Sequence, residues 1–436
     1  MKKFFAILLA AVMMVPGMMG AAMADDMVEI TLMLGGMEDF MMDAFQTYWV
    51  DPFEAEYPNI KIVLENVPDI EQVTKTQMAA GGGPDMMEII GPSMAAEYSE
   101  RLYDLAPYVE KYGWKDIMFD WALGSCERDG TYYCVPTTSE GIILWYNEEI
   151  FEQLGLSIPT NRDEWEEVCQ ACIDNGYMAL SYGTGSNPCG NDWFLSVLFG
   201  NYCGNAYVKD ILEGKAKFTD ELAVEAIQYY NDMWQKGYIT DRQSYAITPD
   251  DSLSLFLAGR SAMYCHTSYM ISTIADSMEY RYNMAVYPKF NNDLSTNSIP
   301  LATCGGYAVN SNCTQAEADA CALFINWMYT HPENMAKSVE AGLSPLCTDL
   351  DPALFSEECD PMILRFVELS NQYAEIPGGS GYCMWTFWPN ATHDAQTDNI
   401  EKVFMGDMTV EEYCQLAQDT LDKDLAEGNV PVVPAT

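Results

Sequence analysis

Basic side chains are scarce in this chain. Lys and Arg together number 21 against 65 Asp and Glu, a formal net charge of −44. Such a field repels phosphate backbones and anionic lipid, which excludes nucleic acid as a partner. Histidine is scarcer still. His266, His331 and His393 are the only three, and their spacing forms no metal-ligand pattern. No metal and no other cofactor is therefore expected. GxSxG, HExxH and Cys/His nucleophile patterns are all missing, so no motif supports catalysis. The first cysteine is Cys126, which leaves no lipid-anchor cysteine near the N-terminus. Beyond residue 24 no apolar run reads as a membrane span. Internal repeats and low-complexity tracts are also missing.

What is present points to an exported globular protein. Nearly half of the 436 residues are apolar, enough for two full cores. Lys2 and Lys3, an apolar stretch from Phe4 to Val15, and Ala22-Met23-Ala24 before Asp25 have the pattern of a cleaved signal peptide over 1–24. A soluble periplasmic or secreted protein is expected. The acidic surface is explained by solubility alone and does not identify a cationic ligand.

The chain opens with a strand–helix–strand rhythm. Val28, Ile30, Leu32 and Leu34 alternate with more polar neighbours and stop at Gly35-Gly36. Helical spacing follows over 39–56, then a strand over 60–67, a helix over 72–80 and a strand over 86–90. This predicts a parallel sheet with helices on both faces, whose ligands sit beyond the strand carboxyl ends. Gly81-Gly82-Gly83 lacks the GK[ST] ending of a phosphate loop and reads as a turn. In mid-chain a polar break, 137–140, separates two apolar runs, as expected where a chain passes from one lobe to another. Helical patterns dominate beyond Tyr146, with Thr160 or Asn161 as a cap and Asp163 or Glu164 at the third helical position. Strands are expected over 262–265 and 282–287, and over 305–310 on the return to the first lobe.

Several segments in order resemble the family 1 extracellular solute-binding proteins, the maltose-binding-like receptors of ABC importers. They are GGGPDMMEI (81–89), CVPTTSEGIILWYNEEIFEQLGL (134–156), FLAGRSAMYCHTSYM (256–270), YPKF (287–290), CGGYAVNSN (304–312), ALFINWM (322–328) and GLSPL (342–346). Two places depart from the family pattern. Pro159-Thr160-Asn161-Arg162 replaces Pro-x-Thr-Trp, and Thr267-Ser268-Tyr269 replaces Gly-x-Trp.

The resemblance implies a two-lobed α/β fold of the periplasmic binding protein type, class II, with a ligand cleft between lobes joined by hinge crossings near 137–141 and 286–288. By analogy one lobe comprises 25–137 plus 289–330, and the other 138–288 plus 331–436. The implied function is capture of a mono- or oligosaccharide by hinge closure and its delivery to the permease subunits of an ABC transporter, by a monomer.

Sugars offer apolar C–H faces to aromatic rings and hydroxyls to carboxylates. Trp193, Tyr269, Trp385 and Trp388 are the expected stacking residues, Tyr269 because it holds the Gly-x-Trp position. Glu38, Asp39, Ser93, Glu140 and His266 are the expected polar contacts. For Glu140 the resemblance implies a sugar-contacting acid at the crossing. Gly305 and Gly306 could admit backbone to the ligand. Each has an ordinary structural alternative: core packing for the Trp residues and His266, and helix-dipole complementarity for Glu38 and Asp39.

Two other readings compete. A polyamine could be caged by acids and aromatics. An exported glycosidase would need two suitably spaced carboxylates. Fourteen cysteines in an exported chain permit disulfides, with Cys126–Cys134 and Cys189–Cys203 the plausible local pairs; the remainder read as buried thiols.

Overall fold

The computed structural model describes residues 27–90, 95, 98–277, 281–428 and 430–434. The signal-like segment and Ser93 lie outside them.

The predicted opening rhythm is realised. Strands β1 (Val28–Gly35), β2 (Ile60–Val67) and β3 (Met86–Ile90) pair in parallel in the order β2-β1-β3. The chain then forms a small hairpin from β4 (Glu127–Arg128) and β5 (Thr131–Tyr132), followed by β6 (Val135–Pro136). The first sheet is completed by β12 (Gly305–Val309), antiparallel to both β3 and β6, so it is mixed rather than wholly parallel. Its core is aromatic. Phe45 and Phe53 meet Phe324, and Trp49 meets Trp327, which seats the helix Gln315–Thr330 on β1.

The second sheet is assembled from distant pieces. Its centre is β7 (Ser139–Asn147), whose interior residues Ile142 to Trp145 are fully buried. The first half of β7 pairs with β11 (Ile299–Thr303) and the second half with β10 (Tyr282–Ala285). Along its other edge runs β9 (Ser261–Thr267), followed by β8 (Met178–Ser181), while β13 (Ser380–Tyr382) extends β11. Against it pack the helices Arg162–Asp174, Cys189–Leu198 and Pro249–Leu257. Asn161 caps the first of these by accepting from the Glu164 amide at 3.0 Å.

The two sheets meet at short passages of backbone. The first is Thr137–Thr138, between β6 and β7. The return lies at Cys304, between β11 and β12, and not near 286–288. The displacement follows from pairing: the buried run Ile299–Thr303 completes the β7 ladder before the chain leaves. Backbone and side-chain bonds tie the two passages together. The Cys304 amide donates to the Thr138 carbonyl at 2.9 Å, and the Gly305 amide to Thr137 Oγ1 at 3.0 Å. A third passage follows Thr348. The helix Pro332–Glu340, expected in the second lobe, packs instead on Gln46–Val50 and on Gln315–Thr330, beside the first sheet. Only with Pro361–Ala374 does the chain rejoin the second sheet, at β10.

All fourteen cysteines are free thiols. The Cys189–Cys203 bridge is ruled out by geometry. The two residues stand at opposite ends of one helical run, Cys189–Leu198 continued by Phe199–Cys203, which at about 1.5 Å per residue separates them far beyond disulfide reach.

Candidate functional site

Of the cavities described along the groove between the two sheets, two have room for more than a water molecule. The first, about 110 Å³, lies against the passages and takes Thr138 and Cys304 into its wall. Its first-sheet side is built at the carboxyl end of β1. There Gly36 turns the chain at φ 59°, a left-handed conformation that glycine accepts without strain. Asn66 fixes the turn by accepting from the Met37 amide at 3.1 Å and donating to its carbonyl at 2.7 Å. Trp49, Phe45 and Tyr307 supply aromatic surface.

Glu88 is the unexpected member of this wall. It lies within β3 in the run Met86-Met87-Glu88-Ile89-Ile90, where an apolar residue would ordinarily pack. The Gly35 amide donates to its Oε2 at 3.4 Å. Burial, together with the charge of nearby Glu140, pushes its carboxyl up to about 7. Glu140 is 7% exposed, and its carboxyl is also raised, chiefly by burial. Cys304 Sγ donates to Glu140 Oε1 at 2.7 Å. Two acids therefore stand close together at the passages.

Tyr269 closes the same cavity from the second-sheet side. It is 42% exposed, and its hydroxyl reaches Met41 Sδ at 3.7 Å across the groove.

The second cavity is larger, about 570 Å³, and polar. Asp69, Gln72 and Lys75 line it from the start of the helix Ile70–Ala80, facing Trp385 and His393. The imidazole of His393 sits between Asp192 Oδ2 at 3.0 Å and Asp394 Oδ1 at 2.9 Å. Those carboxylates outweigh the cost of burial and raise the imidazole to about 10. Lys75 is a cation that the sequence reading did not place on the groove.

The remaining candidates divide. Trp385 lines the larger cavity and is partly buried. Trp388 contributes to the same wall, but it is 1% exposed, lies against Phe199, and donates through Nε1 to Gln396 Oε1 at 2.8 Å, so most of its ring is core. Trp193 and His266 pack on each other with ring centroids 3.9 Å apart. Burial lowers His266 to about 3, and its Nδ1 accepts from the Thr267 amide at 2.8 Å, which makes it a neutral, satisfied histidine. Neither lines either cavity. Glu38 and Asp39 are exposed at the start of the helix Asp39–Phe45. At Gly305 and Gly306 packing against neighbouring strands leaves no room for a side chain. A Cβ on Gly305 would meet the Ile89 carbonyl at 2.7 Å, and one on Gly306 would collide with Cys134 Sγ.

Trp49, Glu88 and Tyr307 were missed from sequence. The signal for Glu88 was available, as an acid interrupting a buried strand. Trp49 and Tyr307 carry none beyond being aromatic.

Comparison with known proteins accounts for this architecture. Residues 38–335 match the profile of the bacterial extracellular solute-binding protein family. A maltotriose-binding protein of Pyrococcus abyssi is 23% identical over 341 residues, covering 76% of this chain and 69% of its own. A chitin oligosaccharide binding protein superposes with a TM-score of 0.77 at 21% identity, over 92% of this chain and all of its own. A cyclic α-maltosyl-1,6-maltose binding protein of Arthrobacter globiformis gives 0.73 at 21% identity, over 92% of this chain and all of its own. At these identities the superpositions speak to the fold.

Proposed function

The chain belongs to the bacterial extracellular solute-binding proteins, and from that premise we propose that it captures a mono- or oligosaccharide in the groove and presents it to the permease of an ABC importer. The observation that carries this reading is the cavity at the passages. It joins aromatic faces from both sheets (Trp49 and Tyr307 from one, Tyr269 from the other) to the carboxylate of Glu88. Flat rings take the C–H faces of a pyranose, and carboxylates accept its hydroxyl protons. Glu140 lies beside Glu88 as a second acceptor. The maltotriose- and chitin-oligosaccharide-binding relatives support a saccharide as the ligand class.

In this reading the lobes are 27–136 with 305–348, and 139–303 with 361–434. A ligand that touches both favours the approach of one to the other by its differential affinity for the closed state. The permease then reads closure. No bond is made or broken, and the protein works outside the cytoplasm, in the periplasm or released.

A second reading has a specific observation behind it. Glu88, with Glu140 nearby, faces an aromatic cavity whose lining contains no Lys or Arg, a setting that suits a polyamine ammonium. Thermal melting of the chain from Asp25 against saccharides, polyamines and amino acids separates the two. Ligand at a hundredfold over Kd adds about 2.7 kcal/mol of stability, seen as a raised melting temperature. A rise with one saccharide class is expected. A rise with polyamines alone transfers the site to cations, and no rise with any saccharide overturns the proposal.

A further inference from the structure

Two large hydrophobic side chains, Phe40 at 49% and Tyr269 at 42%, stand exposed beside the cavity at the passages, on opposite sides of the groove. Tyr269 lines that cavity. Phe40 does not, although Met37 and Met41 on either side of it in the chain do. The solute contacts proposed above therefore leave the Phe40 ring without a task.

Its position follows from the fold. The helix Asp39–Phe45 begins just after the turn that ends β1, and it buries Met41, Ala44 and Phe45. Phe40 belongs to the first turn, off that buried face. Side chains of a helix lean towards its N-terminus, which here is the carboxyl end of β1, where the groove runs. The ring comes to rest on Gly342, just beyond the helix Pro332–Glu340, where φ is 100°. A Cβ on Gly342 would stand 2.6 Å from Phe40 Cε2 and 3.5 Å from Ser272 Oγ. A bare glycine thus gives the ring its seat.

Ser272 reaches that point from the other lobe. It lies in the helix Ile271–Ser277, directly after the Ser268–Met270 turn that carries Tyr269. Next to it the Tyr269 hydroxyl touches Met41 Sδ at 3.7 Å. Two consecutive residues of the first-lobe helix therefore face two residues of one second-lobe segment. Between the lobes here remains a gap of about 20 Å³, room for about one water. Tyr269, Ile271 and Ser272 wall it from one side, and Val339, Gly342 and Leu343 from the other. The contact is incompletely packed, and half of the Phe40 ring is still in water.

We propose that Phe40 is a latch for closure: as the lobes approach, its ring packs against Ile271 and Ser272 and stabilises the closed state without touching the solute. This rests on the capture reading given above. Burying the exposed half of a phenylalanine ring shifts an open–closed equilibrium by roughly tenfold. The solute supplies selectivity, and Phe40 adds the same increment for every solute that closes the groove. It is a positioning residue, acting through the approach of the second lobe.

The test compares the mature chain with its Phe40→Ala and Phe40→Leu variants by surface plasmon resonance. The probes are maltose, maltotriose, maltotetraose, triacetylchitotriose and spermidine. Phe40→Ala should weaken every solute that the parent binds by one common factor, roughly tenfold, through faster dissociation at an unchanged association rate. Phe40→Leu, still a large apolar side chain, should stay within about threefold of the parent. The solute-free melting temperature of Phe40→Ala should hold within about 1 °C, because half of the ring is already in water. Unchanged affinity in Phe40→Ala overturns the latch. So does a loss that differs between solutes by more than about threefold, which would put the ring on the solute itself. A loss that leucine fails to repair overturns it too. Binding of spermidine alone would end the saccharide reading, and the ratio of variant to parent for spermidine would still decide the latch.

Discussion

The two cavities of the groove have opposite characters. The one at the passages is small and aromatic, with its carboxyl group raised by burial. The outer one is about five times larger and lined with charge, and its histidine is held protonated between two aspartates. In the first, polar groups are few and most of the surface is apolar. In the second, His393 is already bonded to Asp192 and Asp394. A ligand group entering the first gains apolar contact with little polar surface to desolvate, whereas one entering the second competes with existing bonds and with water. Affinity should therefore concentrate at the passages, with the outer cavity setting how long a ligand is accepted.

The largest expected effect tests that division directly. Tyr269→Ala removes an exposed ring and should leave stability within about 0.5 kcal/mol while weakening the best-binding saccharide roughly 100-fold by calorimetry. Trp385→Ala in the outer cavity should cost roughly tenfold or less, and most for the longest oligosaccharides. Equal losses would erase the distinction. A larger loss at Trp385 would reverse it.

Stability against pH should separate the cavities next. Glu88 has a folded-state value above its ordinary one, so the native state holds the proton more tightly. The cost of ionising it is absent below about pH 4.5, grows towards pH 7 and is complete above. Glu88→Gln should then gain on the order of 2 kcal/mol over the parent at pH 8 and little at pH 4.5, by urea unfolding. His393 is also raised, but for a base this means stability that is complete below about pH 6.5 and lost as the pH climbs through about 10. His393→Gln should cost on the order of 1–2 kcal/mol at pH 6, and that cost should vanish by pH 10.5. Opposite signs at the two residues are the prediction; like signs would mean that their surroundings do not differ as described.

How much of this was legible in the sequence depended on locality. The first three strands and the helix Gln315–Thr330 announce themselves through alternation, helical spacing and caps, because the residues that set them are neighbours in sequence. The second sheet does not. Nothing within Ile299–Thr303 says that it flanks β7, or within Ser380–Tyr382 that it flanks β11, since those partners lie about 160 and 80 positions away. The return passage was accordingly placed too early, and Pro332–Glu340 was given to the wrong side. The site shows the same split. Tyr269, read from its place in an ordered motif, lines the cavity at the passages. Trp193 and His266 were drawn from the same region, yet they pack on each other. Gly305 and Gly306 looked like room for a ligand, whereas neighbouring strands had already filled that space.

The smallest expected effect concerns the mouth of the groove. Glu38 immediately precedes the helix Asp39–Phe45 and makes no capping bond through its side chain, and Asp39 lies in the first turn. Acids in such places are favoured by the helix dipole, by about 0.3–1 kcal/mol when exposed. Both are exposed, so water screens them from a ligand as well as from each other. Replacing the pair with Gln and Asn should therefore lower stability by about 0.5 kcal/mol and change saccharide affinity less than about threefold. A tenfold loss of affinity with unchanged stability would mean that these acids turn inward when the groove closes. The polar end of the ligand would then be recognised at the mouth, and Glu88 would act mainly on the closure itself.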